Sequence, residues 1–280
     1  MDDTAVKPST SLWRAALLAV LLALAALPQK LEFKVVERQT VDTRLDRVEG
    51  KDAQRVKVLQ ELFEQSGCGG EHLTTQPVKK QRLPNLVCAF PGTTDSVILV
   101  GAHVDHAAIG MGAVDNWSGA ALLPSLFEAL HAQPRRHTFL FVGFAAEELG
   151  LVGSRSFAQH LTQEQRAKVR AMVNVDSLGL APTEIWRSHA DASLADMLSV
   201  VAASMHVPLA VVDLEKLGSA DSESFRNLGI PSITLHSVTP QTMPILHSRR
   251  DQLTAIDRDD YYQSFRLLAA YLAYLDQKLD

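Results

Sequence analysis

The chain has 280 residues, of which 46% are hydrophobic and 21% charged, and a formal net charge of −5. This length suffices for one large α/β domain, and the composition is ordinary for a globular protein. Because the chain has neither a basic excess nor a basic run, its electrostatics argue against nucleic-acid binding.

The N-terminal segment contains thirteen consecutive apolar residues, 15–27. This run is shorter than the ~20 residues of a bilayer-spanning helix, and its length is typical of a signal-peptide core. An A-x-A sequence at 23–25 fits cleavage, whereas apolar residues just before the run favour an uncleaved anchor. We predict that residues 1–29 are a signal peptide or membrane anchor, with a buried helix as the remaining alternative. Residues 30–280 then form one domain outside the cytoplasm, periplasmic, secreted or membrane-anchored.

Further along the chain, apolar periodicity predicts alternating helices and strands. Apolar residues at helical spacing between Asp46 and Gln65 predict one amphipathic helix that ends at Gly67. Predicted strands then cover 86–90, 97–100, 138–144, 171–175 and 232–235. Predicted helices cover 118–131, 154–160, 193–206, 221–228 and 257–278, the last with Asp257 as its N-cap. The predicted fold is α/β, a three-layer α/β/α sandwich around a mixed, mostly parallel sheet.

The two cysteines, Cys68 and Cys88, have no CxxC spacing, which excludes a cysteine zinc site. They either form one disulfide in an oxidising compartment or stay as separate thiols, and the sequence leaves both alternatives open.

Side chains that bind metals follow four of the predicted strands at their C-terminal ends. Ligand sites in open α/β sheets form beyond these ends, so we expect the side chains to lie close together. Two imidazoles, three carboxylates and a spare carboxylate are the groups that a two-zinc site requires. The candidate ligands are His103, Asp115, Glu148, Asp176 and His247, with Asp105 and Glu147 beside them.

Five ordered sequence blocks resemble those of peptidase family M28, zinc peptidases that include bacterial leucyl-type aminopeptidases. They are HVD at 103–105, GAVDNWSG at 112–119, AAEELGLVGS at 145–154, NVD at 174–176 and LH at 246–247. The segment 221–231 also resembles the family's segment ending in Gly-Ile-Pro, although Ser222 stands where a histidine is usual. The resemblance extends from about residue 86 to the C-terminus.

The resemblance implies a ligand role for each matching residue. It assigns His103 and Asp176 to one zinc ion and Glu148 and His247 to a second. Asp115 would bridge the two ions, because a carboxylate offers two oxygens. The implied cofactor is therefore two Zn²⁺ ions per chain.

The resemblance also implies two residues that act on the reaction without binding zinc. Glu147 would be the general base that takes a proton from water and passes it to the leaving amine. Asp105 would hydrogen-bond the far ring nitrogen of His103 and so fix its tautomer. The implied function is that of a dizinc metallopeptidase acting on peptides, in the first place an aminopeptidase.

Two other functions remain open on this fold. A glutaminyl cyclase would use one zinc ion to transfer an acyl group within its substrate, and a non-enzymatic ectodomain would lack ligands. The Asn-Trp-Ser-Gly run at 116–119 favours the peptidases. Within that run, Ser118 is predicted to cap a helix, and Trp117 either walls the substrate pocket or packs in the core. Oligomeric state and residue preference stay open.

Overall fold

The computed structural model of the chain describes residues 31–213 and 218–280. The predicted signal peptide or anchor at 1–29 lies outside these residues. Within the described ranges, no helix combines the length and the apolar character needed to cross a bilayer. The residues from Phe33 to Asp280 form one unit.

A single sheet of eight strands organises this unit. The strands are β1 Leu73–Gln76, β2 Asn85–Phe90, β3 Val97–His103, β4 Thr138–Phe144, β5 Val169–Val175, β6 Glu184–Ala190, β7 Ala210–Val212 and β8 Ser232–His236. Their order in the sheet is β1-β2-β4-β3-β5-β8-β6-β7. Strand β3 pairs in parallel with β4 and β5, β5 with β8, and β6 with β7, whereas the other pairs are antiparallel. The predicted mixed, mostly parallel sheet is therefore confirmed.

Eight helices cover the sheet in the described part of the chain. They are α1 Arg38–Leu45, α2 Asp52–Gln65, α3 Ser118–His131, α4 Val152–His160, α5 Gln163–Lys168, α6 Ala192–Met205, α7 Ser222–Arg226 and α8 Arg258–Lys278. Short 3₁₀ turns occur at Gly70–His72, Met243–Ile245 and Leu253–Ala255. The predicted N-cap of the last helix is confirmed, because the Asp257 carboxylate accepts the main-chain N–H groups of Asp259 and Asp260.

The helices lie in two layers because alternate residues of a strand face opposite sides of the sheet. On one side Phe144 of β4 packs with Phe157 of α4 and Phe225 of α7. On the other side Phe141 packs edge-on against Phe127 of α3. Helix α8 packs against α3 and α6 as an outer part of that second layer.

The predicted helix from Asp46 to Gln65 is wrong at its start. Helix α1 ends before Asp46, and α2 begins only at Asp52. Between them the chain turns, and the Glu49 carbonyl accepts the Arg55 side chain at 2.7 Å. Val48 continues the helical spacing of the apolar residues in α2, although it belongs to the connection. Helices α1 and α5 and strands β1, β6 and β7 were also not predicted.

A disulfide joins Cys68, just after α2, to Cys88 in β2. Both cysteines are buried, and the bond closes a loop with a sequence separation of 20 residues. The open choice between a disulfide and two thiols is therefore resolved in the structure. The bond fastens the α2 layer to the β2 side of the sheet.

We expect no free thiol when the unfolded, unreduced protein is titrated with a thiol reagent. Replacing both Cys68 and Cys88 by Ser should lower the free energy of unfolding by about 3 kcal/mol, since the loop closure would be lost from the unfolded state. Denaturant unfolding of the oxidised protein and the double variant measures the difference. Two titratable thiols per chain would contradict the bond.

Candidate metal centre

The candidate ligands meet at one edge of the sheet, where four adjacent parallel strands end. Strands β4, β3, β5 and β8 are neighbours, so their carboxyl ends lie together. The structure brings together all five predicted ligands, whose positions follow these strand ends or the turn before α3. They are His103 at the end of β3, Glu148 after β4, Asp176 after β5, His247 after β8, and Asp115 in the turn before α3.

Asp115 lies between the two histidines and presents one oxygen to each. Its Oδ1 is 3.1 Å from Nε2 of His103, and its Oδ2 is 3.0 Å from Nε2 of His247. Asp176 Oδ1 lies 3.8 Å from the same His103 nitrogen, and Glu148 Oε2 lies 3.2 Å from that of His247. The result is two groups of three ligands that share one carboxylate.

This arrangement fits a pair of zinc ions. A tetrahedral ion with bonds of about 2.0–2.2 Å holds its ligand atoms roughly 3.3–3.6 Å apart, close to the 3.0–3.8 Å separations here. Glu148 Oε1 is buried and has no hydrogen-bond partner in the described structure. Mixed imidazole and carboxylate donors suit zinc among the divalent metals. The residues present can therefore hold two ions.

Without cations, the neighbouring carboxylates stabilise the protonated forms of His103 and His247. The hydrogen bonds that the His247 ring donates to Asp115 and Glu148 raise its pKa to about 10. Burial lowers the pKa of His103, but the surrounding carboxylates, Glu147 among them, outweigh it and raise that pKa well above its ordinary value. A cation has to displace these protons, so metal affinity should rise with pH.

Glu147 lines the same cavity as the five ligands. Burial raises the pKa of its carboxyl group, and the nearby carboxylates of Asp221 and Asp176 raise it further. Ala146, which precedes Glu147, has a left-handed backbone with φ of 57°. This turn after β4 directly precedes the two neighbouring glutamates to which the resemblance assigns different roles.

The Asp105 carboxylate supports the glutamate pair rather than the histidine ring. Its two oxygens accept the main-chain N–H groups of Glu147 and Glu148 at 3.0 and 3.1 Å. Its Oδ1 is 3.8 Å from Nδ1 of His103, whereas the Asp105 main-chain oxygen is 3.2 Å from that nitrogen. The predicted hydrogen bond between the Asp105 carboxylate and the His103 ring is therefore wrong. Two main-chain N–H groups nearby offer the carboxylate better-placed donors than the ring.

The turn that carries Asp115 is held by two buried side chains. Asp251 accepts the N–H groups of Val114 at 2.7 Å and Asp115 at 3.3 Å. Asn116 donates to the Val175 carbonyl at 2.9 Å and so ties the turn to the end of β5. Its oxygen accepts two more N–H groups, those of Gly119 and Ser177.

Glycine is required at position 119 by this packing. A Cβ there would lie 2.4 Å from Asn116 Oδ1 and 2.5 Å from the Val175 carbonyl oxygen. Both atoms belong to the link between the Asp115 turn and β5, so neither can give way freely. A glycine of the 112–119 block is thus explained by close approach.

The loop just before this turn is held by a buried guanidinium. Arg55 of α2 is fully buried and donates to the main-chain oxygens of Met111 and Gly112. Its third contact is the Glu49 carbonyl in the α1–α2 connection. The first helical layer thereby supports a loop of the metal centre.

The structure decides the roles of two residues of the 112–119 block. Trp117 is fully buried and donates its indole N–H to the Leu45 carbonyl at 2.9 Å, so of its two interpretations the structure favours packing. Ser118 does not cap α3. Its hydroxyl donates to the Val114 carbonyl at 2.6 Å and accepts the Leu178 N–H at 2.8 Å.

Sequence reasoning missed several residues at the centre. Asp221, the first residue of the 221–231 segment, is fully buried, and burial raises its pKa. The hydroxyl groups of Ser222 and Thr234 form a hydrogen bond of 2.7 Å. Trp186 and His236 line the cavity. The acidic start of the Gly-Ile-Pro segment was the available signal for Asp221, whereas Trp186 lies in an unpredicted strand.

The profile of peptidase family M28 matches residues 85–272. Among curated proteins, leupeptin-inactivating enzyme 1 of Streptomyces exfoliatus is 31% identical over 192 residues, which are 67% of this chain and 40% of that protein. The chain therefore spans less than half the length of the curated relatives it matches first.

Solved structures of two related activities share the fold. The LapA aminopeptidase of Legionella pneumophila has a TM-score of 0.74 at 21% identity, over 91% of this chain and 79% of that one. The zinc aminopeptidase BSAP of Bacillus subtilis has a TM-score of 0.62 at 23% identity, over 68% and 49%. A glutaminyl cyclase of an Acidobacteriales bacterium has a TM-score of 0.73 at 18% identity, over 90% and 99%. These overlays confirm the predicted fold class.

Asp251→Ala should weaken zinc binding about 10- to 100-fold, because the N–H groups of Val114 and Asp115 lose the carboxylate that accepts them. Competition with a chelating dye measures the affinity, and thermal unfolding verifies that the variant folds. Asp251→Asn keeps one acceptor oxygen and should fall between. Asp196→Ala, at an exposed position of α6, is the matched control. Wild-type affinity in Asp251→Ala would show that Asp251 does not hold the turn.

Proposed function

The chain belongs to peptidase family M28, and on this basis we propose that it is a dizinc metallopeptidase that releases N-terminal residues from peptides. The observation that carries the proposal is the shared carboxylate of Asp115, with one oxygen near each histidine. One ion would need only one of the two ligand groups. The presence of both groups, complete, favours a two-metal hydrolase.

Zinc ions held by these ligands would lower the pKa of a bound water and polarise the scissile carbonyl. Glu147 borders the same cavity and bears no ligand role. Nearby cations would lower its raised pKa, and its carboxylate could then take the proton of the attacking water. It would then give that proton to the leaving amine. Asp105, through the N–H groups it accepts, would keep Glu147 and Glu148 in their separate orientations.

The shape of the site favours release of single residues from one end. The cavity beside the ligands is small, with a volume of about 80 Å³. Trp186, Val238 and Leu246 form its apolar wall. A peptide whose first residue occupies this cavity would present its first peptide bond to the metal ligands.

Glutaminyl cyclisation is the second candidate function. The cyclase overlay covers 99% of the cyclase chain, so the two domains are similar in extent. The complete second ligand group of Asp115, Glu148 and His247 favours the peptidase. The presence of all five ligands also speaks against a non-enzymatic ectodomain.

We further propose that the domain works outside the cytoplasm. The Cys68–Cys88 disulfide supports this, because such bonds persist in oxidising compartments. The apolar run at 15–27 supports export or membrane attachment.

We expect elemental analysis to find two zinc ions per chain after dialysis against trace zinc. Chelation should abolish hydrolysis of aminoacyl substrates, and added zinc should restore it. Zinc affinity should fall as the pH is lowered, because His247 keeps its proton below its raised pKa. One zinc per chain, with pyroglutamyl product from glutaminyl peptides, would transfer the assignment to a cyclase. An absence of zinc would leave a non-enzymatic ectodomain.

Glu147→Gln should lower kcat about 10²- to 10⁴-fold while both zinc ions stay bound, since the change removes the base and none of the ligands. Steady-state kinetics and metal analysis on the same sample separate the two effects. Glu71→Gln, in an exposed turn, is the matched control and should retain activity. Near-normal turnover in Glu147→Gln would refute the assigned base.

A further inference from the structure

A second cavity borders the metal centre. Its volume is about 520 Å³, within the ~300–1,000 Å³ that is typical of small-molecule sites. Its lining includes Asp52, Lys80, Arg82, Asp105, His106 and Glu148. Glu148 also lines the cavity that contains the five ligands, so the two spaces meet at a ligand of the metal centre. A peptide with its first residue in the first cavity therefore has this second space for its leaving part.

The connection between β1 and β2 carries two cationic side chains to the second cavity. Lys80 and Arg82 both line it. The connection ends at Asn85, the first residue of β2, which is fully buried. Asn85 accepts the Ala145 N–H and donates to the Gly153 carbonyl, each at 2.9 Å. These bonds fix the end of the connection beside the segment that contains the glutamate pair.

Both cations are without a partner in the protein itself. Neither Lys80 nor Arg82 forms an ion pair or a side-chain hydrogen bond within the ranges that the structure describes. Lys80 also has a left-handed backbone, with φ of 63°. Glycine and asparagine adopt this conformation more readily than lysine, so the geometry of the turn does not explain the lysine.

The carboxylates that line the second cavity already have partners. Asp52 Oδ1 lies 2.6 Å from Nδ1 of His106. Asp105 accepts two main-chain N–H groups, and Glu148 belongs to a ligand group of the metal centre. Zinc ions at that centre would add positive charge next to the cavity. With metal bound, the charge that lacks a counter-charge here is therefore positive, which favours an anion.

We infer that Lys80 and Arg82 make the second cavity a binding site for a carboxylate on the leaving side of the scissile bond. This inference rests on the proposed function, which places the scissile bond at the metal ligands. The carboxylate has two possible sources, the C-terminus of a short peptide and an acidic side chain just after the scissile bond. The Arg82 guanidinium can donate to both carboxylate oxygens, and Lys80 supplies a second positive charge.

The first test compares kcat/KM of the zinc-loaded protein on matched peptides at low ionic strength. Leucyl-glycine and leucyl-glycyl-glycine are each compared with their C-terminal amides, and leucyl-glutamic acid α-amide is compared with leucyl-glutamine amide. We expect the anionic member of at least one pair to exceed its partner about three- to tenfold. A difference in the first two pairs identifies the C-terminus, and one in the third identifies the acidic side chain. Equal values in all three pairs would overturn the inference.

The second test removes each cation. Lys80→Asn suits the left-handed turn and Arg82→Gln keeps a polar side chain, and each should lower the ratio of anionic to amide substrate about two- to threefold. The double variant should bring the ratio near one, whereas Lys80→Arg should retain it. Lys79→Asn is the matched control, because Lys79 is exposed but does not line the cavity. An unchanged ratio in the double variant would show that neither residue binds the carboxylate.

Binding and product analysis keep this inference separate from the proposed function. Release of free leucine from any of these peptides shows an exopeptidase, whatever the ratio. Calorimetry of the same pairs with zinc-loaded Glu147→Gln protein tests the second cavity without turnover. Tighter binding of an anionic member supports the cavity even if the wild type cleaves none of the peptides, and equal binding in every pair counts against it.

Discussion

The position of the Asp115 carboxylate between two imidazoles is the constraint on which the site depends. Three carboxylates and two histidines within a few ångströms would repel or share protons in the absence of cations. Bringing these side chains together costs free energy, and bound metal ions would offset that cost by stabilising the folded state. The surrounding backbone has to hold these groups together against that cost, and the buried contacts of Asp251 and Asn116 contribute to this.

The sheet supplies most of the remaining geometry. Four neighbouring parallel strands end at one edge, and each delivers a metal-type side chain within a few residues or one loop. The turn before α3 then needs only to reach this edge, and Asn116 fastens it to the end of β5. The site is thus assembled from main-chain positions far apart in sequence.

The parts of the fold that the sequence predicts are those with a strong local signal. Central strands such as β4 are continuous apolar runs between turns, so their positions are readable, and ordered blocks identify the ligands. Of the two edge strands, β1 is mainly polar and β7 is only three residues long, so neither has the long apolar run that marks a central strand. The predicted contact between Asp105 and the His103 ring was wrong for another reason. A sequence does not reveal that the N–H groups of Glu147 and Glu148 will compete for the Asp105 carboxylate. Trp186 becomes part of the site only because β6 pairs with β8, a contact between distant segments.

Arg55 gives the first helical layer a role that the extent of the family match does not suggest. The match begins at residue 85, yet this guanidinium from α2 holds the carbonyls of Met111 and Gly112 next to the Asp115 turn. The disulfide fastens the same layer to β2. A fragment trimmed to the matched residues would lose both anchors and leave two main-chain oxygens without their donor. The boundaries of a conserved family region are therefore not the boundaries of the smallest unit able to build this metal centre.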